Sequence, residues 1–180
     1  MKRFYIFFAT LVLALNASAQ AIHLQPEEFY HLMTETTFEA FDSLAQNFIE
    51  GQRGYELVKA ETISNEGLNT AEPLPSGATT YRLTWVSGGF TAGQATGDYS
   101  SLQVVMTPAV RTIHNAVMQY ASSEMAQRMA AVLLRKGYAE TTTDDGQQRT
   151  FTIPREGECY DSYTITQQAG IYYVMWHENR

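Results

Sequence analysis

The sequence predicts an α+β protein of two tandem helix-plus-antiparallel-sheet repeats sharing one core, after an N-terminal signal peptide. Three observations predict it. The first nineteen residues have the build of an export leader. Two helix-period stretches are each closed by a Gly-Tyr pair and followed by alternating, Thr-rich text. The second of these series repeats the first at nearly constant spacing, the mark of a duplicated unit.

Residues 1–19 come first. Lys2 and Arg3 are a basic start, Phe4 to Leu15 is apolar apart from Thr10, and Ala17-Ser18-Ala19 supplies the small residues a signal peptidase needs. Twelve helical residues rise only ~18 Å against a hydrocarbon core of ~30 Å, so the segment is expected to direct export and not to span a membrane. The expected cut lies between Ala19 and Gln20, and no cysteine follows to carry a lipid anchor. The protein is therefore expected in the periplasm or outside a bacterial cell, with no membrane insertion after signal removal.

Loss of Lys2 and Arg3 leaves 10 basic residues against 19 acidic ones, a net charge of −9. Such a surface repels phosphate backbones, so nucleic acid is not an expected partner. The acidic residues are scattered from Glu27 to Glu178, which favours solubility over a dedicated cation site. Cys159 is the only cysteine, so no internal disulfide can form and the fold must rest on its core. About 160 mature residues suffice for that.

The first repeat is assigned to residues 20–107. Pro26, followed by Glu27 and Glu28, suits a first helical turn, where proline's missing N–H is harmless and carboxylates complement the dipole. Phe29, Leu32, Met33, Phe41, Leu44, Phe48 and Ile49 extend one apolar stripe to Gly51. Gly54-Tyr55 then leads into Ala60-Glu61-Thr62-Ile63, ending in a turn signal at Gly67. Tyr81, Leu83 and Trp85 alternate with Arg82 and Thr84, as in a sheet covered on one side.

The second repeat is assigned to residues 108–180. Thr107-Pro108 is expected to open a helix carrying Ile113, Val117, Tyr120, Met125, Met129, Val132 and Leu133, stopped at Gly137. Gly137-Tyr138 leads into Ala139-Glu140-Thr141-Thr142 and a turn at Gly146. The last two strands are expected to pair across Ala169-Gly170, with Tyr163, Ile165, Val174 and Trp176 on one face and Thr164, Thr166, Tyr173 and His177 on the other. Matching Trp85 to Ile165 and Leu102 to Ile171 leaves about eleven extra residues in the first copy, a glycine-rich hairpin loop at 87–98.

Catalytic chemistry finds little support. Cys159 with His177 or His114 is the one nucleophile–base pair to weigh, but Cys159 sits among Glu156, Glu158 and Asp161, whose charges oppose a thiolate. A buried inert thiol is the simpler account. His23, His31, His114 and His177 lack metal-ligand spacing, so no metal and no cofactor is expected. Glu39, Asp42 and Glu124 fit solvated helix faces, since nothing places two carboxylates across a cleft. The expected role is an exported, non-catalytic binding or interaction protein of the bacterial cell envelope. Its partner is expected to be a protein, peptide or envelope glycan. The expected contacts are Phe90, Asp98 and Tyr99 of the glycine-rich loop together with Tyr173. The alternatives are a small thiol enzyme using Cys159 and His177, or a carrier of an apolar ligand between helices and sheet.

Mass spectrometry of the exported protein should show a chain beginning at Gln20, free or cyclised to pyroglutamate. Recovery of an intact Met1 would overturn both the leader and the location.

Overall fold

Period-two alternation prevails over helical spacing along most of this chain, and eight strands result. The computed structural model describes residues 23–66, 68, 73–87, 100–154 and 160–179. Helix α1 (Pro26–Tyr30) continues into a π-helical turn at His31–Glu35, and α2 (Phe38–Leu44) into another at Ala45–Glu50. Strands β1 (Glu56–Ile63), β2 (Thr80–Ser87), β3 (Ser100–Thr107) and β4 (Thr112–Tyr120) follow. Helix α3 (Ser123–Arg135) then precedes β5 (Ala139–Thr142), β6 (Gln148–Pro154), β7 (Tyr160–Gln168) and β8 (Ile171–Asn179). All eight strands form one antiparallel sheet in the order β1-β2-β3-β4-β8-β7-β6-β5. The protein is a mixed α+β fold with helices on one face of the sheet.

Two expectations about helices need correction. The first apolar stripe is not one helix: Thr36 is extended (φ −105°, ψ 135°), and the Thr37 hydroxyl caps α2 by accepting from the Ala40 N–H at 3.4 Å. Two adjacent threonines offer the backbone side-chain partners and break the helix there. The second helix begins at Ser123, not at Pro108. Pro108–Val110 is a single 3-10 turn, and Arg111 in the left-handed region (φ 53°) reverses the chain into β4. Ile113, Val117 and Tyr120 lie on that strand, so the 107/108 boundary falls inside the β3–β4 hairpin. Both periods fit this stretch, but Ile113, Ala116, Met118 and Tyr120 are the residues buried in the core. The side chain of Ser122 caps the true helix by accepting from the Glu124 N–H at 3.2 Å.

The two Gly-Tyr pairs have one geometry. Gly54 (φ 65°) and Gly137 (φ 91°) take the left-handed conformation that ends a helix, which glycine adopts without strain. The tyrosine after each, Tyr55 and Tyr138, turns inward and is buried. Across Ala169-Gly170 the chain makes the expected tight hairpin, with Gln168 opposite Ile171. Gly146 sits in the β5–β6 turn (φ 69°), whereas Gly67 lies outside the described residues.

The core is one layer between helices and sheet. Residues directly opposite in neighbouring strands share a face, so Trp85, Leu102, Met118, Val174 and Ile165 form one continuous row from β2 to β7. Phe41 of α2 meets Trp85 edge-on at 6.4 Å, and the Trp85 indole N–H donates to the Glu50 carboxylate at 2.8 Å. Helix α1 instead reaches the other half. Phe29 and Tyr30 pack on Tyr163 at 6.2 and 6.1 Å, Tyr138 closes the group at 5.7 Å from Tyr163, and Thr34 and the Tyr163 hydroxyl hydrogen-bond at 2.6 Å. Arg128–Glu27 (3.2 Å) and Lys136–Glu35 (2.7 Å) also join α1 to the second half, by way of α3 and its C-terminal end. Those pairs are exposed and screened by water, whereas the rings are buried, so the aromatic group holds α1 in place.

Burial raises the pKa of Tyr138 and Tyr55 and pushes those of Tyr120 and Tyr163 far above the ordinary phenol range. The folded chain thus keeps these protons while the unfolded chain releases them above about pH 10. Stability should be flat below that pH and fall above it, by up to about 1.4 kcal/mol per pH unit for each phenol. Urea unfolding followed by circular dichroism from pH 8 to 12 should show the decline, with a shallower slope for Tyr163→Phe. A flat profile would contradict the assignment of these phenols to the core.

Candidate functional site

Each strand sends alternate residues away from the helices, and these build a second face that none of the described helices covers, although Ser101 and Val105 of β3 are buried on it. Across β3, β4, β8, β7 and β6 one row reads Ser101, Gln119, Tyr173, Thr166, Gln148. The next reads Gln103, Val117, Met175, Thr164, Thr150, and a third Val105, Asn115, His177, Ser162, Thr152. None of these side chains is a carboxylate, ammonium or guanidinium. The charges of this region stand at one margin, where Glu61 pairs with Lys59 (2.6 Å) and Arg82 (3.2 Å) on β1 and β2. Glu140 and Arg149 at the other margin face the helix side, paired at 2.6 Å. A chain with a net charge of −7 thus holds a neutral patch rich in hydroxyl and amide groups, with exposed Met175 near its centre.

Tyr173 stands within that patch, between Gln119 and Thr166. Of the other expected contacts, Phe90, Asp98 and Tyr99 lie outside the described residues, as does Cys159. The glycine-rich stretch joins β2 to β3, so it is not the last hairpin of its half as the matching of Leu102 to Ile171 implied. His177 lies on the neutral face opposite Asn115 and Ser162. By alternation along β7 that face is opposite to the one occupied by Tyr163 and Ile165. His114 is buried elsewhere, with Nε2 at 2.7 Å from the Thr107 hydroxyl. Val117 carries no sequence signal as a surface residue, because its stretch also fits a helix.

A second feature forms where β2 and β3 pair last, at Ser87 and Ser100. The Ser100 hydroxyl lies 2.6 Å from the Tyr55 hydroxyl, 2.7 Å from that of Ser87 and 2.9 Å from Nδ1 of His23. Tyr55 accepts from the Leu24 N–H at 2.9 Å, and Tyr120 donates to the Leu24 carbonyl at 3.1 Å. The cluster ties the segment before α1 to the sheet. Beside it lies a cavity of about 240 Å³ lined by His23, Ser100, Tyr120, Ala121, Ser122, Glu124 and Met125. A serine beside a histidine invites a nucleophile reading, but a hydroxyl has one proton and two lone pairs. Three near neighbours occupy them, and Ser100 is 1% exposed. Among the described residues one carboxylate, Glu124, lines the cavity. Among the described residues no group of three His, Cys, Asp or Glu is placed to hold a metal ion.

The fold is an α+β protein with its described helices on one side of the sheet and, on the other, an uncharged region across β3, β4, β8, β7 and β6. Among the described residues no helix is long and apolar enough to cross a membrane. No protein-family model matches the chain, and no curated protein or solved structure does either.

Ser100→Ala removes one hydrogen-bond partner from each of the buried Tyr55 and Ser87 hydroxyls. It should lower unfolding stability by about 1–3 kcal/mol in urea titration, with the native spectrum unchanged. A loss under ~0.5 kcal/mol would mean the cluster does not secure the segment before α1.

Proposed function

We propose that this is an exported, non-catalytic binding protein of the bacterial cell envelope, docking a protein partner on the neutral face of its sheet. The absence of charge across β3, β4, β8, β7 and β6 on that face carries the proposal. Interface centres are poor in charged residues and rich in Tyr and Met, and this face has that composition around Tyr173 and Met175. Its size also suits a protein. The four strands β4, β8, β7 and β6, about 4.8 Å apart and about six residues long, make a patch of roughly 19 by 20 Å, or about 400 Å² in plan. That is about half the ~800 Å² of accessible area each partner gives a standard interface, enough for the centre of one. An extended glycan would want a series of stacking rings, and Tyr173 is the one tyrosine in the three rows. The basic start, short apolar run and Ala-Ser-Ala ending support export.

The same proposal extends to origin: the fold is a duplicated unit of helix and four strands. The palindromic strand order β1-β2-β3-β4-β8-β7-β6-β5 supports it, as do the paired left-handed Gly54 and Gly137 with buried Tyr55 and Tyr138. On this reading the second copy starts with α3, and β4 belongs to the first.

The test uses substitutions of both signs on the face. Met175→Arg and Thr164→Glu sit across from one another and should each leave thermal stability within about 1 kcal/mol. Both should abolish recovery of a specific envelope protein in crosslinking pull-downs, since either charge would be buried unpaired. Capture that survives both variants would remove the face from the binding site. Co-sedimentation with purified peptidoglycan sacculi, lost in both variants, would replace the protein by a glycan.

A further inference from the structure

The two edges of the sheet are built differently. β5 is four residues long, polar, and shielded by the Glu140–Arg149 pair. β1 is eight residues long, and its residues are exposed except for the half-buried Glu61 and Ile63. Leu57 and Val58, adjacent on β1, are 46% and 44% exposed, two of the five large exposed hydrophobics among the described residues. A long edge strand with apolar side chains is a template for another strand. The helix layer does not extend over it, although Leu57 and Ala60 share the face of Trp85 and Leu83.

The charges on β1 select the strand that fits. Lys59 and Glu61 lie on one face with Ala60 between them, and β2 meets them with Thr84 and Arg82. Charged residues on an edge usually prevent pairing, since an arbitrary incoming strand leaves them unmatched. An antiparallel copy of β1 turned about Ala60 does the reverse. It sets Lys59 of each chain opposite Glu61 of the other, twice over. One row then runs Arg82, Glu61, Lys59, Thr84 across the joint with opposite charges adjacent. Leu57 falls opposite Thr62 and Glu56 opposite Ile63. The bulge at Val58 is accommodated as β2 accommodates it, where Leu57 and Lys59 face the consecutive residues Trp85 and Thr84.

We propose that β1 pairs antiparallel with β1 of a second copy of this chain, about a two-fold axis at Ala60, joining two eight-stranded sheets into one. The contact is isologous, so it closes at a dimer and leaves the β5 edges outermost. One strand edge covers less than the ~1,600 Å² of a standard interface, so the dimer is a concentration-dependent one. The joint does not use the neutral face, so its failure would leave the binding proposal standing, and the reverse.

Sedimentation equilibrium on the mature chain should show monomer passing to dimer below about 1 mM. Lys59→Glu and Glu61→Lys each place two like-charge pairs across the joint and should weaken self-association about tenfold or more. Mixed in equal amounts, the two variants restore both opposite-charge pairs and should associate to within about threefold of the unmodified chain. That recovery also shows both variants to be folded. A chain that stays monomeric to about 1 mM overturns the proposal. So does a dimer that neither variant weakens, or a mixture that stays monomeric.

Discussion

The pairing of β4 with β8 is the constraint on which the rest of the structure depends. It runs from Asn115 opposite His177 to Tyr120 opposite Tyr172, and it alone joins the first four strands to the last four within the sheet. On the helix side it sets Met118 against Val174 and Ala116 against Trp176, all buried, so the two halves share one core. On the other side it sets Val117 against Met175 and Gln119 against Tyr173, so the neutral face is continuous across the joint. A four-stranded half alone would leave both the row through Met118 and the patch around Met175 cut through the middle. The side-chain alternation of one strand pair thus determines both the core and the free face.

The helical layer locks this arrangement because its first helix does not stay with its own half. α2 covers the first strands through Phe41 on Trp85, while α1 lies over the second through Phe29 and Tyr30 on Tyr163. The break at Thr36-Thr37 makes the division possible by letting two short helices take different directions. Just before α1, the backbone of Leu24 is held by Tyr55 at the start of β1 and by Tyr120 at the end of β4. Within about forty residues the chain therefore touches both halves of the sheet and the β4 joint.

Much of the fold is legible in the sequence where two local signals agree. Gly54-Tyr55 and Gly137-Tyr138 mark helix ends because the backbone there needs a left-handed residue, and an aromatic follows that must be buried. The β7–β8 hairpin is legible because Ala169-Gly170 supplies the turn and Tyr163, Ile165, Val174 and Trp176 alternate in step. β4 is illegible for a physical reason: Ile113, Val117 and Tyr120 fit a helical face while Ile113, Ala116, Met118 and Tyr120 fit a strand. Thr107-Pro108 begins either element, and only pairing with β3 and β8 decides. The cluster of His23, Tyr55, Ser87, Ser100 and Tyr120 leaves no sequence signal, because its members stand up to 97 positions apart and meet only in the sheet.

The distribution of charge links the two surfaces that remain open. Acidic residues of the helical layer pair near water, Glu35 with Lys136 after α3 and Glu39 with Arg111 of the β3–β4 turn, where such pairs cost little and hold little. Thr, Gln, Ser and Asn fill the outer face of the inner strands, satisfying water without fixing a charge that a partner would have to match. At β1 the pattern changes, and Glu56, Lys59 and Glu61 alternate with apolar Leu57, Val58 and Ala60. A neutral surface tolerates many orientations of a partner, because no ion pair fixes the register. A strand edge with opposite charges two residues apart admits one. On the two proposals made for this sheet, its permissive surface lies in the middle and its selective one at a single margin, so that each could be occupied without obstructing the other.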